Sequence, residues 1–227
     1  MNIDLTSYNL PRLQNMMVFI VTMIILAVIS YYFLDIPIAH YGYYHTRISN
    51  KHFLWLYATY LQPLYFIISP WFVFYLIARV MLQKPILTWH KIVILMIFSM
   101  SITFFINEQL RFVFGRYWPA TWLNGNLSLI EHNAYGFTWF KMQKELQAFP
   151  SGHTALIFGF MAPLLWLGHS KKIKIFALLN GLAVGLGLIL MCYHFFSDVL
   201  IGALVGIAVA YFILYSLKKY NNVKRVV

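Results

Sequence analysis

His194 and Asp198 stand four residues apart, and Asp198 is the only acid between Glu145 and the C-terminus. If a helix begins near this point, that spacing puts the two side chains on one face, within reach of each other. A carboxylate on one imidazole nitrogen fixes the tautomer and leaves the other nitrogen available as a nucleophile or base. The same pair would serve equally as a structural bond across a hinge. Ser151-Gly152-His153 follows Phe149-Pro150 and opens the apolar run TALIFGFMAPLLWLG, which carries no charge until Lys171. A helix start offers free backbone N–H groups and a positive dipole end to an anion, and glycine permits close approach. Pro150 and Ser151 are also ordinary helix-start punctuation, with Ser151 as N-cap, a reading that leaves His153 unexplained. Arg111 and Arg116 flank the residues FVFG. Guanidinium grips phosphate through paired hydrogen bonds, although either arginine alone also suits snorkelling to headgroups. Two histidines, one carboxylate, an anion-binding helix start and two arginines fit phosphoryl transfer through a covalent phosphohistidine. A metal held by His153, His194 and Asp198 competes with that reading. The helix-start amides and arginines argue against it because they already neutralise an anion, so neither metal nor cofactor is expected.

These residues must be positioned by elements built for lipid. The 227-residue chain is 61% hydrophobic and only 10% charged, with a mean hydropathy of +0.70. That is too little polar surface for a soluble domain. A bilayer core needs about 20 apolar residues per helix, and six candidates emerge at roughly 16–34, 53–80, 92–110, 153–168, 175–193 and 198–216. The expected fold is an all-α integral membrane bundle of about six transmembrane helices, one domain spanning residues 1–227. The first apolar run is long enough to span and lacks a small-residue cleavage site after it, so it reads as a retained helix. Gly181-x-x-x-Gly185 and Gly202-x-x-x-Gly206 predict close contact between the last two helices. A single cysteine, Cys192, excludes an internal disulfide and a cysteine-built metal site. The histidines at 40, 45, 52, 90, 132 and 169 show no ligand spacing and read as interfacial or loop residues.

Charge sets the orientation. One side receives Arg12, Arg79, Lys84, Lys91, Lys171, Lys172, Lys174, Lys218, Lys219, Lys224 and Arg225; the other receives Arg47, Lys51, Arg111, Arg116, Lys141 and Lys144. Eleven against six puts both termini in the cytoplasm. Segments 108–119, 149–154 and 192–198 then share the outer face, where unrelated polar residues would have scattered over both. The formal charge of +11 is spread over helix ends rather than gathered in a stripe, which fits anionic lipid headgroups and not nucleic acid. No obligate protein partner is evident. Tyr135, Phe137, Trp139 and Phe140 in the outer loop read as an interfacial belt, or as a lip guiding the chains of a lipid.

In order and spacing these residues resemble the type 2 phosphatidic acid phosphatases, which share a superfamily with vanadium-dependent haloperoxidases. That family carries Lys-x6-Arg-Pro, then Pro-Ser-Gly-His, then Ser-Arg-x5-His-x3-Asp. Pro150-Ser151-Gly152-His153 matches the second signature and His194-x3-Asp198 the end of the third. In the first, Arg111 falls on the lysine position, Trp118 on the arginine and Pro119 on the proline; in the third, Gly187 and Leu188 replace Ser-Arg. Arg116 is expected to supply one lost charge, with Lys141 or Lys144 as candidates for the other. The run RYWPATW is similar to a variant found in some bacterial members. The resemblance implies a metal-independent lipid phosphatase acting on a phosphomonoester or pyrophosphate of a membrane lipid. The compact size and absence of a signal peptide fit a bacterial inner membrane, and the charge count puts the site on its periplasmic face. His194 would attack phosphorus, Asp198 orient it, and His153 serve as acid and then base. Arg111, Arg116, Ser151 and Gly152 would hold the phosphoryl oxygens. Phosphoryl transfer to a second lipid, or non-catalytic binding or transport of an anionic lipid, are the alternatives.

Overall fold

The computed structural model describes residues 5, 8–46, 53–122, 125–141 and 143–224. Arg47, Lys51, His52 and Arg225 lie outside the described residues. Where the chain is apolar it is helical, because a backbone in lipid must satisfy its own hydrogen bonds. The first rod runs from Leu13 to Thr46. It comprises α1 (Leu13–Ile29), a π turn (Ser30–Leu34), α2 (Asp35–Tyr41) and a second π turn (Gly42–Thr46). Then come α3 (Phe53–Met81), α4 (Thr88–Phe114), the short α5 (Leu129–His132), α6 (Gly152–Leu167), α7 (Lys171–Leu190) and α8 (Phe196–Lys224). The expected all-α bundle is what forms, with rods longer than predicted at several ends. Among the described residues, four stretches are long and apolar enough to cross a membrane: Leu13–Thr46, Thr88–Phe114, Lys171–Leu190 and Phe196–Lys224.

Two further apolar stretches, Tyr65–Met81 within α3 and Gly152–Leu167, are shorter. At 16 residues, α6 spans about 24 Å, less than a bilayer core. It tolerates this because it is the centre of the bundle, packed by α4, α7 and α8. The first rod lies on α8, and α3 on α7.

The glycines make this packing close, though not where the sequence placed it. Gly181 faces the Phe158 ring of α6. A Cβ at Gly202 would lie 2.5 Å from the Ser151 carbonyl, and one at Gly206 would strike the Ala155 carbonyl. Only Gly185 of these four joins α7 to α8, facing Val199 at 2.7 Å. The small-residue stripes therefore serve α6 rather than a direct α7–α8 seam.

The N-terminal segment folds back along the end of α8. Tyr211 donates to the Pro11 carbonyl at 3.0 Å and Lys218 to the Tyr8 carbonyl at 2.6 Å. Both ends of the described chain thus lie at one end of the bundle. His90, read from sequence as an interfacial or loop residue, is fully buried, and its Nδ1 accepts the Leu87 N–H at 2.9 Å to cap α4.

Candidate active site

At the opposite end, α4 stops at Gly115, whose φ of +44° turns the chain into a long loop. Residue 116 bridges both Phe137 and Gln147, so the loop closes back on itself over the starts of α6 and α8. The Ser151 N–H donates to the Asp198 carbonyl at 3.1 Å, pinning those two helix starts together. Ser151 also caps α6, its Oγ accepting the Thr154 N–H at 3.4 Å. Ser151 is thus the N-cap that its position suggested, and the end of α4, the start of α6 and the start of α8 lie together.

His153 and His194 meet there, with ring centroids 6.4 Å apart. Tyr193 stands edge-on to both, at 5.8 Å from His153 and 5.3 Å from His194. Trp118 lies against His194 at 5.2 Å and Tyr193 at 5.1 Å. Among the described residues, the buried Nδ1 of His153, both nitrogens of His194 and Nε1 of Trp118 have no hydrogen-bond partner. His194 Nδ1 stands 3.5 Å from Asp198 Oδ2, which also accepts the Phe195 N–H at 2.9 Å. The hinge backbone is held by Leu188, whose carbonyl accepts Tyr193 N at 2.9 Å and His194 N at 3.3 Å. The Leu188 side chain is sealed in the core, so nothing charged replaces the arginine expected at that position. Burial, and next the nearby Arg111, push the His194 imidazole well below its ordinary range. Burial likewise pushes the Tyr193 phenol up, keeping that wall neutral.

Arg111 sits on this site. Its guanidinium lies so close to Gly152 that a Cβ there would come within 2.5 Å of Nη2. It donates to the Pro150 carbonyl at 3.3 Å and to Glu108 at 2.9 Å, which places a cation at the N-terminus of α6.

Arg116 does something other than grip an anion. It is fully buried, with Nη2 on Asp35 at 2.7 Å and Nη1 on Ser197 Oγ at 2.7 Å and on Asp198 Oδ1. Tyr31, Tyr135, Phe137, Phe149 and Phe195 surround its guanidinium. Burial alone would lower its pKa, but Asp198 and Asp35 outweigh it and hold Arg116 above the ordinary arginine range. The phosphate-binding role expected of Arg116 is therefore corrected: the two Nη groups that would form a phosphate fork are already committed to carboxylates. Lys141 and Lys144 are exposed, and Lys141 lines a separate cavity of about 440 Å³ with Tyr117 and Glu145.

Asp35 is the residue that sequence reasoning missed. It is an acid inside the first apolar run, at YYFLDIPI, and such carboxylates are costly and usually paired. Pro37 cannot donate to the carbonyl four residues back, and the widened π turn at 30–34 accompanies it. In that turn Ser30 Oγ donates to Asp35 Oδ1 at 2.7 Å.

The aromatic cluster of the outer loop divides: Tyr135 and Phe137 turn inward around Arg116, whereas Trp139 and Phe140 remain 52% and 66% exposed. Phe137 and Trp139 also line an apolar cavity of about 830 Å³ with Ile24, Tyr31, Phe114 and Ile201.

The family model of the PAP2 superfamily matches residues 92–222, more than half of the chain. The chain belongs to the PAP2 superfamily. The match runs from α4 through α8 and so contains the histidine pair, Arg111, Arg116 and Asp198, but not Asp35. PAP2 proteins are generally phosphatases, so the bundle is a phosphatase-type fold with a phosphoester hydrolase role, in an integral membrane protein. No curated protein and no solved structure matches the chain.

Proposed function

We propose that this PAP2 protein is a membrane lipid phosphatase working through a phosphohistidine at His194, on the periplasmic face of a bacterial inner membrane. The observation that carries the reading is the pair His153 and His194 at 6.4 Å, open-valenced and roofed by Arg111 at the start of α6. In the reacting complex Asp198 Oδ2, 3.5 Å from His194 Nδ1 in the structure, closes on that nitrogen and accepts its N–H, leaving Nε2 with its lone pair. Nε2 attacks phosphorus, the bond from phosphorus to the lipid oxygen breaks, and His153 gives that oxygen a proton. His153 then takes a proton from water, whose oxygen attacks phosphorus as the P–N bond breaks and phosphate leaves. Arg111, the free amides of Gly152 and His153, and the unpartnered Trp118 N–H receive the phosphoryl oxygens. Ser151 supports this cradle as the cap of α6. The exposed Trp139 and Phe140, beside the apolar cavity, support a lip that receives lipid chains.

The test is phosphate release by purified protein from a panel of phosphatidic acid, phosphatidylglycerophosphate, polyprenyl pyrophosphate and lipid A phosphate. His194→Ala is expected to abolish release, and His153→Ala to reduce it almost as far. Release by His194→Ala at the wild-type rate would end the proposal. A phosphorylated second lipid in place of free phosphate would convert it to phosphotransfer. Binding without a trappable phosphoenzyme would point to transport.

A further inference from the structure

We infer that Asp35 and Arg116 are positioning residues for the nucleophile: the first rod, lying outside the matched family region, sets the orientation of His194 through a buried chain of charges. The inference rests on the phosphohistidine reading above.

The geometry is continuous. Asp35 Oδ1 accepts the Ser197 N–H at 2.9 Å, while Oδ2 accepts Arg116 Nη2 at 2.7 Å and the Ser197 hydroxyl. Arg116 Nη1 occupies Asp198 Oδ1 and also bonds Ser197 Oγ at 2.7 Å. Arg116 thereby holds Asp198 by Oδ1, while Oδ2 accepts the Phe195 N–H at 2.9 Å and faces His194 Nδ1 at 3.5 Å. A carboxylate clamped on one edge presents the second at a set angle. Without the clamp only the Phe195 N–H would hold it, and the carboxylate could tilt about that bond and loosen its hold on the imidazole tautomer.

The fork of Arg116 is held flat by its surroundings. Phe195 lies 4.3 Å from the guanidinium carbon, and Phe137 and Tyr31 lie at 5.1 and 5.2 Å. The Tyr135 hydroxyl accepts Nη2 at 3.1 Å and donates to the Tyr31 carbonyl at 2.6 Å. Arginine suits this place because one planar group must reach two carboxylates at once, which a lysine ammonium does not do in fixed geometry. Neither Asp35 nor Arg116 touches the gap between the histidines, so both act through Asp198.

The experiment compares Asp35→Asn and Arg116→Lys with wild type on phosphatidic acid in detergent micelles, or on the panel lipid that wild type cleaves faster. Steady-state turnover is read together with the single-turnover rate of phosphoenzyme formation and the melting temperature. A misaimed nucleophile is expected to lower kcat by about 10- to 100-fold, to slow phosphoenzyme formation in parallel, and to leave KM within about twofold of wild type. A merely structural role would lower the fraction of active protein without slowing the phosphorylation step of the molecules that remain folded.

Ser197→Ala, which deletes only the bridging hydroxyl, decides the matter if the charge variants fail to fold. It is expected to slow phosphoenzyme formation several-fold at unchanged KM. Folded Asp35→Asn or Ser197→Ala protein that forms phosphoenzyme at the wild-type rate would overturn the inference. If that happens while His194→Ala is inactive, the phosphohistidine reading stands and only the positioning chain falls.

Discussion

Trp118 puts one neutral N–H donor where a guanidinium with five would carry a full charge. In the proposed mechanism the cation count at the phosphoryl position falls accordingly, and Arg111 with the α6 amides does most of the neutralising. Trp118→Phe keeps the ring against His194 and Tyr193 but removes the donor. Turnover is expected to fall by about 10- to 100-fold, below the usual cost of an oxyanion-hole donor because the remaining donors share the load. An unchanged rate of phosphate release would take the indole N–H out of the site. His194 makes a second prediction. Its folded-state pKa lies well below the usual value because the ring is buried beside Arg111. Between that value and about 6.5 the unfolded chain binds the proton and the folded chain does not. Stability is therefore expected to fall as pH drops below about 6.5, and the acid limb of kcat/KM to lie below that pH. Melting curves from pH 5 to 7.5 check this, and His194→Asn should flatten the slope. His153, His194, Asp198 and Arg111 were legible because their spacing to a helix start or to one another encodes proximity. The pairing of Arg116 with Asp35 was not, because it spans 81 residues. Nothing in a count of charges says which way a guanidinium fork faces.

Among the elements, α6 is the part that everything else measures against. Its start carries His153, its cap bonds Asp198, and the glycines of α8 let the two backbones touch. Gly202→Ala would place a methyl 2.5 Å from the Ser151 carbonyl, a rigid neighbour that cannot turn aside. The expected outcome is a loss of about 1–3 kcal/mol from overpacking, together with a fall in activity larger than that loss explains. The melting temperature in detergent, set beside kcat for the folded fraction, measures both. A variant as stable and active as wild type would show that α6 and α8 are not held at this spacing. The apolar runs announced the rods because length and composition suffice for a span. Their partners were not announced: a small-xxx-small pattern licenses close approach without naming the helix that approaches. The short length of α6 belongs with this, since a helix wrapped by others need not match the bilayer by itself.

At the scale of the molecule, the proposed orientation puts the end where the described chain begins and ends in the cytoplasm, on the strength of the charge asymmetry, and the histidine pair on the other side. Cysteine substitution tests it, since the native Cys192 is buried. A membrane-impermeant maleimide added to intact cells is expected to label Lys144→Cys and to spare Lys172→Cys. The reverse pattern would invert the orientation and move the site to the cytoplasmic leaflet. The Arg116 cluster also bears on how the protein is made. Asp35 precedes the arginine by 81 residues and Asp198 follows it by 82. A nascent chain therefore presents the cation with one counterion early and the second only when α8 arrives. Until then the loop that carries Arg116 has no complete charge partner on which to close. Closure of the cluster therefore waits for the last helix, which brings the second carboxylate.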